Sequence, residues 1–375
     1  MYDATPTSKS GTPKSTKPKL RLRSRRQRGQ GIQLSSTQLV TTDVLSAESP
    51  LPLVVRPAMD GLNVVDWAAN HRTWIQEQLW THGGLLFRGF RNVEAETLER
   101  FFGALGGELM EYAYRSTPRS PVKGRIYTST AYPASESIPL HNEMSYSLNW
   151  PMRIGFSCLR CAATGGETPI VDSHRVWASL DPDVRETFAR KQVLYVRNYS
   201  PQLDLPWQTV FQTDDREAVE QYCQQAGIEW EWRSGDRLST RQICQAVAQH
   251  PHTKAWVWFN QAHLFHVSNL PLETRQSLLS VVAEDELPRN TYFGDGTSIS
   301  DTALTAIRTA YDTHTVTFSW QAGDILLLDN MLAAHGRRPF TGERQVVVGM
   351  DEPYSHTVQT GPIRKGAIQQ GEVTV

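Results

Sequence analysis

In the segment IPLHNEM, Ile138 to Met144, His141 and Glu143 are separated by one residue. In an extended chain side chains two apart point to the same side, so an imidazole and a carboxylate converge there. A third donor, His335, lies far along the chain in LLLDNMLAAHGRRPFTGERQVVV, beyond the exit of a strongly apolar strand. Two imidazoles and one carboxylate on one face of an octahedral ferrous ion leave three positions open for a bidentate co-substrate and dioxygen. The HxE spacing alone is a weak signal, but its surroundings strengthen it. Arg344 follows His335 and directly precedes the apolar run Gln345 to Met350, where its planar fork could grip a carboxylate with two hydrogen bonds. Gly165-Gly166-Glu167-Thr168 supplies a turn and then a hydroxyl that could donate to the same carboxylate.

Other chemistries lack their markers. There is no GxxxxGK[ST] phosphate loop, no GxGxxG after a strand and no GxSxG elbow. Cys158 and Cys161 form a lone CxxC inside a strand candidate, short of the four ligands of a zinc ribbon, and read as half-buried strand residues. His250 and His252 sit in a polar turn and read as surface residues, while Trp207, Trp256 and Trp258 read as core. Asp329 and Asn330 should fix the backbone that leads into His335.

The elements that must position these residues are short strands with long helical excursions. Helical spacing runs over Asp66 to His82, stopped by Gly83-Gly84, over Val93 to Leu105, and at about 181 to 190, 216 to 227, 272 to 284 and 301 to 313. Strand candidates are Leu85 to Phe90, Arg153 to Arg160, Pro169 to Ser173, Gln192 to Tyr199, Ala255 to Phe259, Val316 to Trp320, Asp324 to Leu328 and Gln345 to Met350. No regular alternation of helix and parallel strand appears, which favours a β-sandwich or barrel core decorated with helices.

Composition sets the frame. A chain of 375 residues suffices for one large domain or two ordinary ones. No apolar stretch approaches the roughly 20 residues that cross a bilayer, and no signal-type apolar run opens the chain, so neither a membrane nor a secreted protein is expected. Four scattered cysteines fit a reducing cytoplasm rather than a disulfide scaffold. Residues 1 to 30 carry nine basic side chains against one acid, Asp3, which leaves the remainder at -9 within a total of -1. The first 45 residues, rich in Ser, Thr, Gln, Lys and Arg, have no usable apolar period and are expected to be a disordered basic tail. The acidic remainder carries no aromatic and basic stripe, so no nucleic-acid partner is expected.

Taken together, HxE, GGxT and a distal His followed by Arg resemble the Fe(II)/2-oxoglutarate-dependent dioxygenases of the taurine dioxygenase and clavaminate synthase superfamily. The resemblance runs from about Leu85 to Met350, and GGETPIVDS, LYVRNY, LPWQTVFQTDD, WFNQAHLFHVS, LPRNTYFGDG and LLLDNMLAAHGRRPFTG read like its SyrP-like branch. It implies a double-stranded β-helix, or jelly roll, mainly β with flanking helices and a long insertion, occupying 46–362 between the basic tail 1–45 and a C-terminal tail 363–375. It implies iron on His141, Glu143 and His335, and 2-oxoglutarate on Thr168 and Arg344. The NQAHLFH loop would lie near the active site, with Asn260 and His263 as substrate contacts. The implied reaction consumes dioxygen and 2-oxoglutarate and hydroxylates the side chain of an amino-acid unit, free or tethered to a carrier protein, in natural-product biosynthesis. Desaturation, epoxidation and cyclisation are alternative outcomes of the same cofactor chemistry. A non-catalytic metal-binding β-barrel is the alternative from another class, and the residues leave the oligomeric state open.

Overall fold

The run Ile325–Asp329 (ILLLD) is buried at every residue because both faces of its strand are covered. Successive side chains alternate across a strand. Ile325 and Leu327 join Leu85, Phe87 and Val347 beneath helices that contribute Trp67, Leu98, Phe101 and Phe102. Leu326 and Leu328 face the other way, among Ile154, Phe156, Val346 and Val348. The computed structural model describes residues 39–91, 93–110, 121–123, 125–128, 132–200 and 204–357, all within the unit Ser36–Val375.

This strand, β16, is central in an eight-stranded sheet of order β1 (Val40–Ser46), β2 (Ser49–Pro57), β3 (Gly84–Phe87), β16, β7 (Asn149–Arg160), β19 (Gln345–Ser355), β5 (Ile126–Thr128) and β4 (Pro121–Lys123). Only β2 and β3 run parallel; the other neighbours are antiparallel. A second sheet has the order β6 (Ile138–His141), β17 (Ala333–Arg337), β9 (Ile170–Asp172). Ala333 and Ile170 in this small sheet pack toward the large one, and the two open sheets form the jelly-roll core. Leu140, Val171 and Ala334 point the opposite way, into the core of the insertion. That insertion holds helices and the sheet β11 (Glu229–Arg233), β12 (Arg237–Cys244), β10 (Val193–Tyr199), β15 (Arg289–Phe293). Two smaller antiparallel ladders pair β13 (Val247–Gln249) with β14 (Trp256–Trp258) and β8 (Thr164–Gly165) with β18 (Phe340–Thr341).

Several expectations are corrected. The single helix expected over Asp66 to His82 is two, Val64–Asn70 and Arg72–His82. His71 breaks it: its Nδ1 lies 2.6 Å from the Trp67 carbonyl oxygen and its ring stacks on the Trp67 indole, so the side chain takes over an acceptor of the helix. Val316 to Trp320 alternates buried and exposed residues as a strand would, yet only Val316 bridges, to Ile170, and the segment is held by the packing of Phe318 and Trp320. The basic tail does not extend to residue 45, because Val40–Ser46 forms the edge strand β1 on β2. Residues 1–38 and the tail 363–375 lie outside the described residues.

Candidate active site

His141 ends β6, and His335 stands directly opposite it on β17. Their rings lie 4.5 Å apart, and Phe156 packs on His335 at 4.9 Å. The His141 Nδ1 is 2.8 Å from the Pro139 carbonyl oxygen. A carbonyl only accepts, so the hydrogen belongs on Nδ1 and Nε2 is the nitrogen that carries the lone pair a metal would take. Glu143 is not in the strand, as strict alternation assumed, but in the turn just after it, followed by Met144 at φ +57°. It reaches the same place by another route: ligand atoms of His141, Glu143 and His335 all lie within 4.8 Å of one another.

Asn330 holds that turn. Its side-chain oxygen accepts from the Glu143 amide at 2.7 Å, and its amide group donates to the carbonyls of Glu143 and Pro151 at 2.9 Å each. Asp329 accepts from the amides of Met331 and Leu332 and lies 3.0 Å from His250 Nε2. His250 is therefore no surface residue; it is wholly buried, and its Nδ1 accepts from the Thr253 amide. That bond places its hydrogen on Nε2, where it donates to Asp329.

The pocket beside His141 and His335 is lined by Ile138, Phe156, Thr168, Gly336, Arg337, Arg344, Val346 and Val348. Gly165 and Gly166 both have positive φ, and a Cβ on Gly165 would collide with the Pro339 carbonyl oxygen. The bare turn lets Arg344 Nε donate to the Gly166 carbonyl at 3.0 Å. Burial first, and then repulsion from Arg337, lower the Arg344 guanidinium to about 10. A carboxylate beside it would relieve both strains. Thr168 accepts from Trp320 Nε1 at 3.0 Å, which leaves its hydroxyl hydrogen to donate to a ligand. The neighbouring arginines are placed differently: Arg337 donates to the carbonyls of Tyr132, Pro133 and Glu136, and Arg338 is exposed.

Of the two expected substrate contacts, His263 lines a second cavity of about 250 Å³ that shares Ile138 and Arg337 with the first. Burial pushes its imidazole down to about 3, so it is neutral. Asn260 is placed elsewhere: its amide donates to the Ala246 carbonyl, its oxygen accepts from the Ala262 amide at the start of the short helix Ala262–Phe265, and it is absent from the lining of both cavities. Trp207 and Trp258 are buried, whereas Trp256 is 46% exposed on a two-stranded edge. Cys158 is buried with its Sγ 3.7 Å from that of Cys161, and burial pushes its thiol up to about 12. Sequence reasoning missed Trp320, Phe156, Tyr311 and Arg308 as site neighbours. Their helical or strand periodicity marks them as packing residues and carries no sign of what they face.

A profile of the family described as taurine catabolism dioxygenase TauD, TfdA family matches residues 48–350. The chain belongs to this family. It is an enzyme, a 2-oxoglutarate-dependent dioxygenase whose cofactors are Fe(II), 2-oxoglutarate and dioxygen. The dapdiamide synthesis protein DdaC of Enterobacter agglomerans is 40% identical over 288 residues, covering 77% of this chain and 88% of the relative. A clavaminate synthase-like protein of Arabidopsis thaliana is 27% identical, covering 81% and 91%. The crystal structure of PvcB from Pseudomonas aeruginosa shares the fold at a TM-score of 0.51 and 16% identity, covering 85% of this chain and 93% of that one.

Proposed function

We propose that His141, Glu143 and His335 hold the iron, that Arg344 and Thr168 hold 2-oxoglutarate, and that the enzyme oxidises an amino-acid unit in natural-product biosynthesis. The observation that carries this is the convergence of the three donors within 4.8 Å beside the pocket that Arg344 and Thr168 line. Two imidazoles and one carboxylate suit ferrous iron with open positions. With dioxygen and 2-oxoglutarate, the bound iron supplies the oxidation of a C–H bond and the release of succinate and carbon dioxide.

The protein's own residues orient and exclude. Pro139 fixes the tautomer of His141, and Asn330 fixes the turn that presents Glu143. Arg344 offers a desolvated charge to the distal carboxylate of 2-oxoglutarate, and Thr168 adds a hydroxyl donor. Phe156, Val346 and Val348 give the pocket dry walls.

The biosynthetic role draws on DdaC, named for dapdiamide synthesis, and on a relative named 3-((Z)-2-isocyanoethenyl)-1H-indole synthase, from Fischerella ambigua, 22% identical over 280 residues. The substrate is a small molecule, read as an amino-acid side chain that undergoes hydroxylation. No helix among the described residues is long and apolar enough to cross a membrane, and a cytoplasmic location is part of the proposal. The test is an iron titration of the purified chain followed by a succinate assay with candidate amino acids, free and loaded on a carrier domain. Iron binding at one site with iron-dependent succinate release is expected. Absence of iron binding would overturn the reading.

A further inference from the structure

The second cavity contains polar atoms that the fold leaves unmet. His263 and Tyr311 are each 3% exposed, and their rings stack with centroids 4.7 Å apart. His263 Nδ1, the Tyr311 hydroxyl and Arg308 Nε are buried without a hydrogen-bond partner among the described residues, and all three side chains line this cavity. Leaving such groups unsatisfied costs about 1–3 kcal/mol each, so three around one cavity point to a ligand that satisfies them.

Their chemistry describes that ligand. Neutral His263 carries one N–H and one lone pair, and its buried Nδ1 has no partner among the described residues, so that nitrogen can accept an N–H or O–H from a ligand. Arg308 already donates through one terminal nitrogen to the His263 carbonyl and to Ser268 Oγ, at 3.0 and 2.9 Å, which aims the guanidinium and leaves Nε for a further acceptor. Arg308, Arg337 and Arg338 against the single acid Asp312 make the lining cationic. Ile138 and Arg337 border both this cavity and the pocket beside His141, so a ligand here stands next to the proposed iron.

We infer that this cavity is the substrate site and that it takes a free L-α-amino acid, with the carboxylate on Arg308 and the amino group toward His263 and Tyr311. Asp312, exposed at the cavity, complements the ammonium charge. The inference rests on the functional reading above and narrows it: a carrier-bound thioester has no carboxylate to give Arg308. Arg308 and Tyr311 thereby become specificity residues rather than packing residues.

The test is calorimetric. The full-length chain, loaded with Mn(II) and N-oxalylglycine as inert stand-ins for iron and 2-oxoglutarate, is titrated with the free L-amino acids and with the carboxamide of each one that binds. At least one free acid should bind, and its carboxamide should bind roughly tenfold or more weakly, as loss of a charged partner requires. Arg308→Gln should weaken the free acid by a similar factor while barely changing the carboxamide. Tyr311→Phe, which removes one oxygen from a packed ring, should weaken both severalfold and covers the case in which Arg308→Gln fails to fold. Binding of no free amino acid, equal binding of acid and carboxamide, or unchanged affinity in both variants would overturn the inference. Failure of Mn(II) to bind would instead overturn the metal reading, and the same titration of the metal-free chain would still decide what the cavity holds.

Discussion

Each of the three proposed iron ligands supplies one donor, so losing one should be decisive. His141→Ala or His335→Ala should abolish iron-dependent succinate formation while circular dichroism stays native, and full activity of either variant at limiting iron would count against the site. Asn330→Ala tests the support beneath: with the Glu143 turn released, iron affinity should fall about 10–100-fold, measured by competition with a chelator. Arg344→Ala should raise the 2-oxoglutarate requirement at least roughly tenfold, and Thr168→Ala more mildly, as read from the KM for 2-oxoglutarate. A large effect at Arg337 or Arg338 with none at Arg344 would contradict that assignment. The proposed role of Glu143 as an iron ligand would leave no position for a halide, so mass spectrometry at high chloride should find no chlorinated product. The convergence of His141, Glu143 and His335 was legible because donor groups are recognisable by type and spacing. His250 was not, since a histidine flanked by polar residues looks the same whether it meets water or a buried aspartate. The placement of Asn260 was not legible either, as proximity in a motif said nothing about where its amide pointed.

Among the elements, the long amphipathic helices and apolar strands could be read from periodicity, and Asp301–Thr313 has the bounds expected. The helix break at His71 was hidden because it depends on a ring stacking on Trp67, a tertiary preference that no window of residues expresses. Strands such as β11 and β12 were also missed; β11 is largely exposed and carries Glu229 and Glu231, which weakens any apolar signal. The short helix Ala262–Phe265 has its own consequence. His263 and His266 are pushed down by burial, to about 3 and about 4, from the ordinary histidine value of 6.5. The unfolded chain therefore binds more protons than the folded one below pH 6.5, and stability should fall as pH drops from 6.5 toward 4. Urea midpoints across that window should show the decline, and replacing both histidines with glutamine should flatten it whatever the absolute stability.

At the scale of the molecule, the small sheet is a wall shared by two cores, with His141 and His335 on the side facing the large sheet and Leu140, Val171 and Ala334 on the other. Truncating a fully buried residue of the central strand, as in Leu327→Ala, should cost about 2–5 kcal/mol in urea unfolding. The connectivity of that wall governs how the protein comes to exist. β16 inserts between β3 and β7, and β17 between β6 and β9, so strands from the last sixth or so of the chain fill the middle of sheets begun far earlier. Asn330 and Glu143, which must meet to present a ligand, stand 187 residues apart. During synthesis the earlier strands would wait with open edges, unable to complete either sheet, and such long-range closure is slow and exposed to aggregation. A nascent chain stalled before Asp324 should therefore sit in chaperone complexes and bind no iron, whereas release after Ser355 should let both sheets and the metal site close in one step.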